Sequence, residues 1–210
     1  MLDTVLFIVF PYVAVALAVG GSLYRFFAHQ FSISSLSSQW LESKRLFWGA
    51  VPWHYGVVPV LFIHMGAFVI PGVMARLHGT PVTLYLAELL GKVLTLLALV
   101  GMVVLIVRRL SSSKLRAVTT PMDWVVLVLL LSQVFLGLWI AFFYRWGAAW
   151  FLDTATPWVQ SLATFQPQAE TITALPWIPK LHFLNATLLI ALVPFSRLVH
   201  LVVFPLAYLW

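Results

Sequence analysis

Apolar residues fill five long stretches of the chain, and few charged side chains interrupt them. By hydropathy the stretches cover about residues 2–24, 47–70, 82–107, 122–143 and 179–204. A helix rises 1.5 Å per residue, so crossing ~30 Å of hydrocarbon takes about 20 residues, and each stretch is long enough. The pattern predicts an all-α integral membrane bundle of five transmembrane helices, forming a single domain over residues 1–210.

Composition excludes a soluble fold. The chain is 62% hydrophobic and only 9% charged, whereas about a quarter of the residues of a soluble domain are charged. Membrane lipid must therefore be its solvent. Cysteine is absent, which excludes disulfides, iron–sulfur clusters and covalently attached haem within this chain. We find no basic patch with interleaved aromatic residues, so nucleic acid is not an expected partner.

Basic residues concentrate on alternate loops. Those of the first–second and third–fourth loops are Arg25, Lys44, Arg45, Arg108, Arg109, Lys114 and Arg116. Cytoplasmic loops carry the excess of Lys and Arg, so the N-terminus is expected outside and the C-terminus in the cytoplasm. This topology suits a multi-pass protein of the cell inner (cytoplasmic) membrane. The long segment before the fifth span is interpreted as a connector, against the alternative of a short amphipathic piece at Trp158–Phe165.

Four of the six histidines fall inside the predicted spans. His54 and His64 lie in the second span, and His182 and His200 lie in the fifth. A polar ring inside the bilayer is costly, so it is expected to face a partner or a cofactor. One such histidine often only bonds a neighbouring helix, but two on each of two helices indicate a cofactor site.

The spacing of these histidines suggests how they pair. His182 and His200 are 18 residues apart, which in a regular helix is about five turns and a rise of about 27 Å. His54 and His64 are ten residues apart, a rise of about 15 Å with an offset of about 80°. Because the two spans run antiparallel, His54 is expected beside His200 near the inner face, and His64 beside His182 near the outer face. Each pair would clamp one iron, with ~20 Å between the irons.

Paired imidazoles indicate two haem b groups. Two neutral imidazoles fill both axial positions of an iron and suit single-electron transfer, whereas zinc and non-haem iron favour close ligands and carboxylates. Glu88 is the only clear carboxylate that we assign to the spans. Arg197 and Arg109 are expected to meet haem propionates, because arginine binds carboxylates in bidentate fashion, although topology explains Arg109 equally well. Gly56 and Gly66 are read with equal weight as room for a macrocycle or as helix packing.

Several local motifs resemble one family. They are Pro11-Tyr12, Ser37-Ser38-Gln39 before Lys44, Arg116-Ala117, Thr119-Thr120, and the run from Pro194 to His200. Together with the histidine spacings, they make the chain similar over nearly its whole length to the gamma subunit of respiratory nitrate reductase, the membrane cytochrome b subunit of that complex. The resemblance implies five helices with the N-terminus outside, and it places the haem ligands on the same four histidines in the same two pairs.

The resemblance also implies a function. Quinol (menaquinol or ubiquinol) would be oxidised near the outer haem, and its protons would be released outside. Electrons would pass to the inner haem, then to an iron–sulfur beta subunit and a molybdenum-containing alpha subunit that reduces nitrate in the cytoplasm. The chain would be the electron-transfer subunit of a quinol:nitrate oxidoreductase, not the nitrate-reducing subunit itself.

The sequence departs from the family where quinol is expected to bind. The family carries a lysine early in the third helix, but residues 81–85 of this chain read PVTLY. Lys92 follows later, four residues after Glu88, and such a pair can form an ion pair along a helix. His64 and Lys92 are therefore the candidates for holding quinol, and the alternative for Lys92 is an ion pair that snorkels outward.

Two other functions stay open at this point. The same di-haem module could serve a different partner, such as a nitrite oxidoreductase. In a different class, the histidines could act as relays of a proton carrier or channel. A carrier would be colourless when purified, and the sequence shows no internal repeat of the kind common in transporters.

Overall fold

A computed structural model of the chain describes residues 1–28 and 44–201. Within these residues every regular element is helical. Five helices are long and apolar enough to span a membrane. They are the first span Leu2–Ala28, the second Lys44–Val69, the third Pro81–Ser111, the fourth Pro121–Phe143 and the fifth, whose α-helix is Trp177–Leu192. The predicted all-α membrane bundle is confirmed, while the Ser37-Ser38-Gln39 motif and residue 204 lie outside the described residues.

The third and fourth spans begin with the same local signal. The Thr80 hydroxyl accepts a hydrogen bond from the Thr83 N–H at 3.2 Å. The Thr120 hydroxyl accepts from the Asp123 N–H at 3.2 Å, and the Asp123 carboxylate accepts from the Thr120 N–H at 2.9 Å. In both spans proline occupies the first turn. These capping boxes satisfy N–H groups that the start of a helix leaves without an intrahelical partner.

Small residues let the second and third spans approach closely. A Cβ atom on Gly56 would lie 2.5 Å from both the Ala98 nitrogen and the Leu94 oxygen. A Cβ atom on Gly101 would collide with the backbone of Trp53. Membrane helices associate largely through such close packing, since lipid offers no hydrophobic drive between them. Gly56 is therefore a helix-packing residue.

The fifth span is not one regular helix. Its α-helix ends at Leu192, and short 3-10 turns follow at Val193–Phe195 and Arg197–Leu201. Between them Ser196 is extended, with φ −129° and ψ −179°. The predicted continuous helix was wrong in this part, because Pro194 has no amide hydrogen with which to continue the helical hydrogen bonds.

The first span holds this break in place. The Arg25 guanidinium donates to the carbonyl oxygens of Pro194 at 2.8 Å and Ser196 at 3.1 Å. It thereby satisfies backbone oxygens that a regular helix would have bonded internally. Because His200 lies beyond the break, five regular turns from His182 do not define its direction.

The segment between the fourth and fifth spans contains a helix, Gly147–Ala163, which we call the connecting helix. Its Trp158 is 5% exposed. The indole ring meets Phe7 of the first span and Phe183 of the fifth edge-on. The interpretation of this segment as a plain connector was wrong, because its apolar face is buried against the ends of the spans.

The connecting helix also bonds to the backbone of two spans. Pro11 has no N–H to donate to the Phe7 oxygen, and the Trp158 indole N–H donates to that oxygen at 2.8 Å. The Thr156 hydroxyl donates to the Ala67 oxygen near the end of the second span at 3.2 Å. Backbone oxygens that lack a helical partner must find another donor within a membrane. These two bonds hold the connecting helix against the first and second spans.

Candidate functional site

Two of the four predicted ligands lie on the second span, and both rings are held in the same way. The Nδ1 atom of His54 donates to the Ala50 oxygen at 2.7 Å, and that of His64 donates to the Val60 oxygen at 2.7 Å. A carbonyl oxygen can only accept, so Nδ1 carries the proton and Nε2 keeps its lone pair. Metal-binding histidines commonly show this arrangement, because the bond at the far nitrogen fixes the tautomer and the ring orientation.

His200 shows the same arrangement in a different backbone. Its Nδ1 donates to the Arg197 oxygen at 2.5 Å within the 3-10 turn. Its Nε2 therefore also keeps a lone pair for a metal. Three of the four predicted ligands thus share a feature that the sequence could not show.

His182 is held by the fourth span instead. Its Nε2 accepts a hydrogen bond from the Gln133 amide at 3.2 Å, and the Gln133 oxygen accepts from Asn185 at 2.6 Å. Its Nδ1 is buried and has no hydrogen-bond partner among the described residues. Because Nε2 accepts, Nδ1 carries the proton of the neutral ring, and a buried N–H without an acceptor is costly. Gly137 gives the ring room, since a Cβ atom there would lie 3.1 Å from Cε1 of His182.

An aromatic cluster connects the two predicted outer ligands. Phe151 of the connecting helix meets His64 edge-on with 5.3 Å between ring centroids, and it stacks on Phe183 at 6.4 Å. Phe183 is 6.1 Å from its neighbour His182. In the described part of the chain the second and fifth spans do not pack along each other, so the connecting helix brings these two histidines to one cluster. No corresponding cluster joins His54 and His200 within those residues.

A buried carboxylate gathers the two arginines that the sequence assigned to haem propionates. Oδ1 of Asp123 lies 2.9 Å from Nε of Arg197, and its Oδ2 lies 3.8 Å from Nη1 of Arg109. The Asp123 side chain is only 9% exposed. Sequence analysis missed Asp123 and named only Glu88, since an acidic residue in a first turn resembles an ordinary helix cap. Arginine has five N–H donors, and Arg197 uses a further one, on Nη2, for the Val118 oxygen at 3.3 Å.

Glu88 lies beneath the start of the connecting helix. Its Oε1 accepts from the Ala148 N–H at 2.8 Å, and its Oε2 lies 3.7 Å from Nζ of Lys92. The carboxylate side chain is 8% exposed and that of Lys92 28%. The i,i+4 ion pair is thus present, and its carboxylate is buried at the helix N-terminus, which favours negative charge. The second and third spans run antiparallel, and Gly56 lies against Leu94 and Ala98. Glu88 therefore lies at about the same height along the bundle as His64.

These residues fit axial ligation of haem. Each side of a porphyrin needs only one imidazole with a free lone pair, because the porphyrin supplies the other four ligands. His54, His64 and His200 offer that lone pair, whereas the lone pair of His182 accepts the Gln133 amide, which an iron at that ring would displace. Among the described residues no group of three or more His, Cys, Asp or Glu side chains forms a metal site of its own.

Comparison with known proteins identifies the family of the chain. A family model described as nitrate reductase gamma subunit matches residues 3–210. The nitrate reductase gamma chain of Bacillus subtilis is 32% identical over 213 residues, covering 100% of this chain and 95% of the relative. The respiratory nitrate reductase 1 gamma chain of Escherichia coli is 31% identical, covering 99% and 94%. An Hdr-like menaquinol oxidoreductase cytochrome b-like subunit of Archaeoglobus profundus is 25% identical, covering 76% and 48%.

Proposed function

The chain belongs to the nitrate reductase gamma subunit family, and we propose that it oxidises quinol near the outer face of the inner membrane and delivers the electrons to the cytoplasmic subunits that reduce nitrate. It is a multi-pass membrane subunit of an oxidoreductase complex. The partners would be an iron–sulfur beta subunit and a molybdenum-containing alpha subunit. The relative named a menaquinol oxidoreductase cytochrome b-like subunit supports both quinol and haem.

The hydrogen bonds of the histidine rings support this proposal most directly. His54 and His200 would hold an inner haem b, and His64 and His182 would hold an outer one. Hydrogen bonds at Nδ1 orient three of the rings, and a ring held in one orientation loses less freedom on binding. Bound haem b would supply one-electron transfer with both axial positions of the iron filled.

The quinol site would lie beside His64 and Lys92. Lys92 offers an ammonium N–H to a quinol oxygen, and its pairing with buried Glu88 keeps that charge in the span. Phe151 covers one side of the His64 ring and would exclude water there. Predicted topology, with basic loops inside and the N-terminus outside, would put this site toward the outer face, so that protons leave on that side.

A visible spectrum of the purified chain tests the haem part of this proposal. We expect two haem b per chain, a low-spin b-type reduced-minus-oxidised spectrum, and reduction by a water-soluble menaquinol or ubiquinol analogue. His64→Ala should lose one haem. His78→Ala is the matched control, because His78 donates from Nδ1 to the Ala148 oxygen at 3.2 Å and belongs to neither pair. A chain that stays colourless after haem supplementation would contradict the proposal and favour a proton carrier or channel.

Co-purification tests the partners. A tagged chain extracted in mild detergent should bring down an iron–sulfur protein and a molybdenum protein with quinol-dependent nitrate reduction. Recovery of a nitrite-oxidising enzyme in their place would keep the di-haem module and overturn the assignment to nitrate.

A further inference from the structure

His200 is the one predicted ligand that no regular helix positions. It lies in the Arg197–Leu201 turn, after the break at Ser196. The other three lie on the α-helices of the second and fifth spans. Something other than helical hydrogen bonding must therefore set the direction of the His200 ring.

Arg197 supplies the nearest support through its backbone. Its carbonyl oxygen accepts the Nδ1–H of His200 at 2.5 Å. The direction of that oxygen depends on how the Arg197 residue itself is held. Beside it the Ser196 hydroxyl accepts from the Leu198 N–H at 3.2 Å, and the Ser196 carbonyl oxygen accepts from Arg25 of the first span at 3.1 Å. These bonds hold the residue before Arg197 and leave the Arg197 side chain to other partners.

Asp123 anchors Arg197 to the fourth span. Its Oδ1 lies 2.9 Å from Nε of Arg197, the distance of a charge-assisted hydrogen bond. Asp123 is itself fixed, because its Oδ2 accepts from the Thr120 N–H at 2.9 Å at the capped start of the span. With Asp123 9% exposed and Arg197 26%, water replaces this contact poorly, and removing one partner of such a pair leaves an uncompensated charge.

We propose that Asp123 is a positioning residue for His200, acting through Arg197, and that it orients the inner axial ligand. This inference rests on the proposed haem-binding function. Arg109 is the second cation on the carboxylate, at 3.8 Å. Asp123 therefore both fixes the turn and offsets positive charge beside the inner pair.

The test compares Asp123→Asn with the unmodified chain, each as the full-length protein in detergent. Asparagine keeps an oxygen for the Thr120 N–H and removes the charge that holds Arg197. Haem per chain, the electron paramagnetic resonance signals of the ferric low-spin haems, and the midpoint potential of each haem are measured. His200→Ala identifies which signals belong to the inner haem.

We expect the inner-haem resonance to shift in Asp123→Asn, because that signal depends on the orientation of the imidazole planes. The inner potential should rise, since two arginine charges that are no longer offset favour the reduced iron. Asp123→Glu should recover part of both changes. Glu88→Gln is the matched control: it neutralises another buried carboxylate, and it should leave the inner signals as they are.

Two results would overturn the inference. If the unmodified chain holds two haems and Asp123→Asn shifts neither inner signal, Asp123 does not position His200, although the proposed function stands. Equal changes at both haems would show a general structural role instead. If Asp123→Asn does not fold, Arg197→Lys replaces it, since lysine keeps the charge and lacks the guanidinium Nε–H that bonds Asp123. The inner resonance alone should then shift, without the rise in the inner potential. A chain without haem contradicts the proposed function itself.

Discussion

The close approach of the second and third spans at Gly56 predicts a large cost for Gly56→Ala. The new Cβ atom would lie 2.5 Å from the Ala98 nitrogen and from the Leu94 oxygen, whereas ordinary contact begins at 3.4 Å. Both obstacles are backbone atoms, so no side chain can rotate away, and the two helices must separate locally. Overpacking of this kind costs about 1–3 kcal/mol. We expect a loss of about 2 kcal/mol in the free energy of unfolding, roughly a 30-fold change in the equilibrium.

Reversible unfolding in mixed micelles, followed by circular dichroism, measures this loss. Gly20→Ala and Gly91→Ala are the matched controls, because a Cβ atom on either glycine meets nothing within 4 Å. Alanine is the better helix former by up to about 1 kcal/mol, so the controls should be neutral or slightly stabilising. If Gly56→Ala is as stable as Gly91→Ala, the two spans do not approach as described.

Two further substitutions test the connecting helix. Trp158→Phe should cost about 1–3 kcal/mol of unfolding free energy, because the Phe7 oxygen loses its donor. The cost should shrink in a Pro11→Ala background, where a backbone N–H becomes available to that oxygen, and equal costs in both backgrounds would refute the assignment. Glu88→Ala should speed amide hydrogen exchange at Ala148 and the turn that follows, since the helix start loses its acceptor. Unchanged exchange there would show that the carboxylate does not cap this helix.

Local signals in the sequence were sufficient for the five spans. Runs of apolar residues predicted their number and approximate bounds. Hydropathy could not reveal the break in the fifth span, because Pro194 lies in an apolar run. The break shows itself in backbone hydrogen bonds, and it depends on Arg25, which is 169 positions from Pro194 in sequence.

The candidate site was only partly predictable for the same reason. Helical spacing drew attention to the four histidines, but the hydrogen bonds that set their tautomers are visible only in three dimensions. Asp123 resembled a helix cap, and its contact with Arg197 joins two distant parts of the chain. The docking of Trp158 on the Phe7 oxygen also depends on tertiary contact. Residue type and helical spacing identify the histidines that can bind a cofactor, whereas the contacts that orient these side chains are visible only in the tertiary structure.

The pairing of the four histidines is the central claim, and haem counts in double alanine variants test it most directly. We expect two haems in the unmodified chain. One haem should remain when His54 and His200 are replaced together, and one when His64 and His182 are replaced together. None should remain when His54 and His182, or His64 and His200, are replaced. If the His54 and His182 double variant keeps one haem while the His54 and His200 variant loses both, the pairing is contradicted.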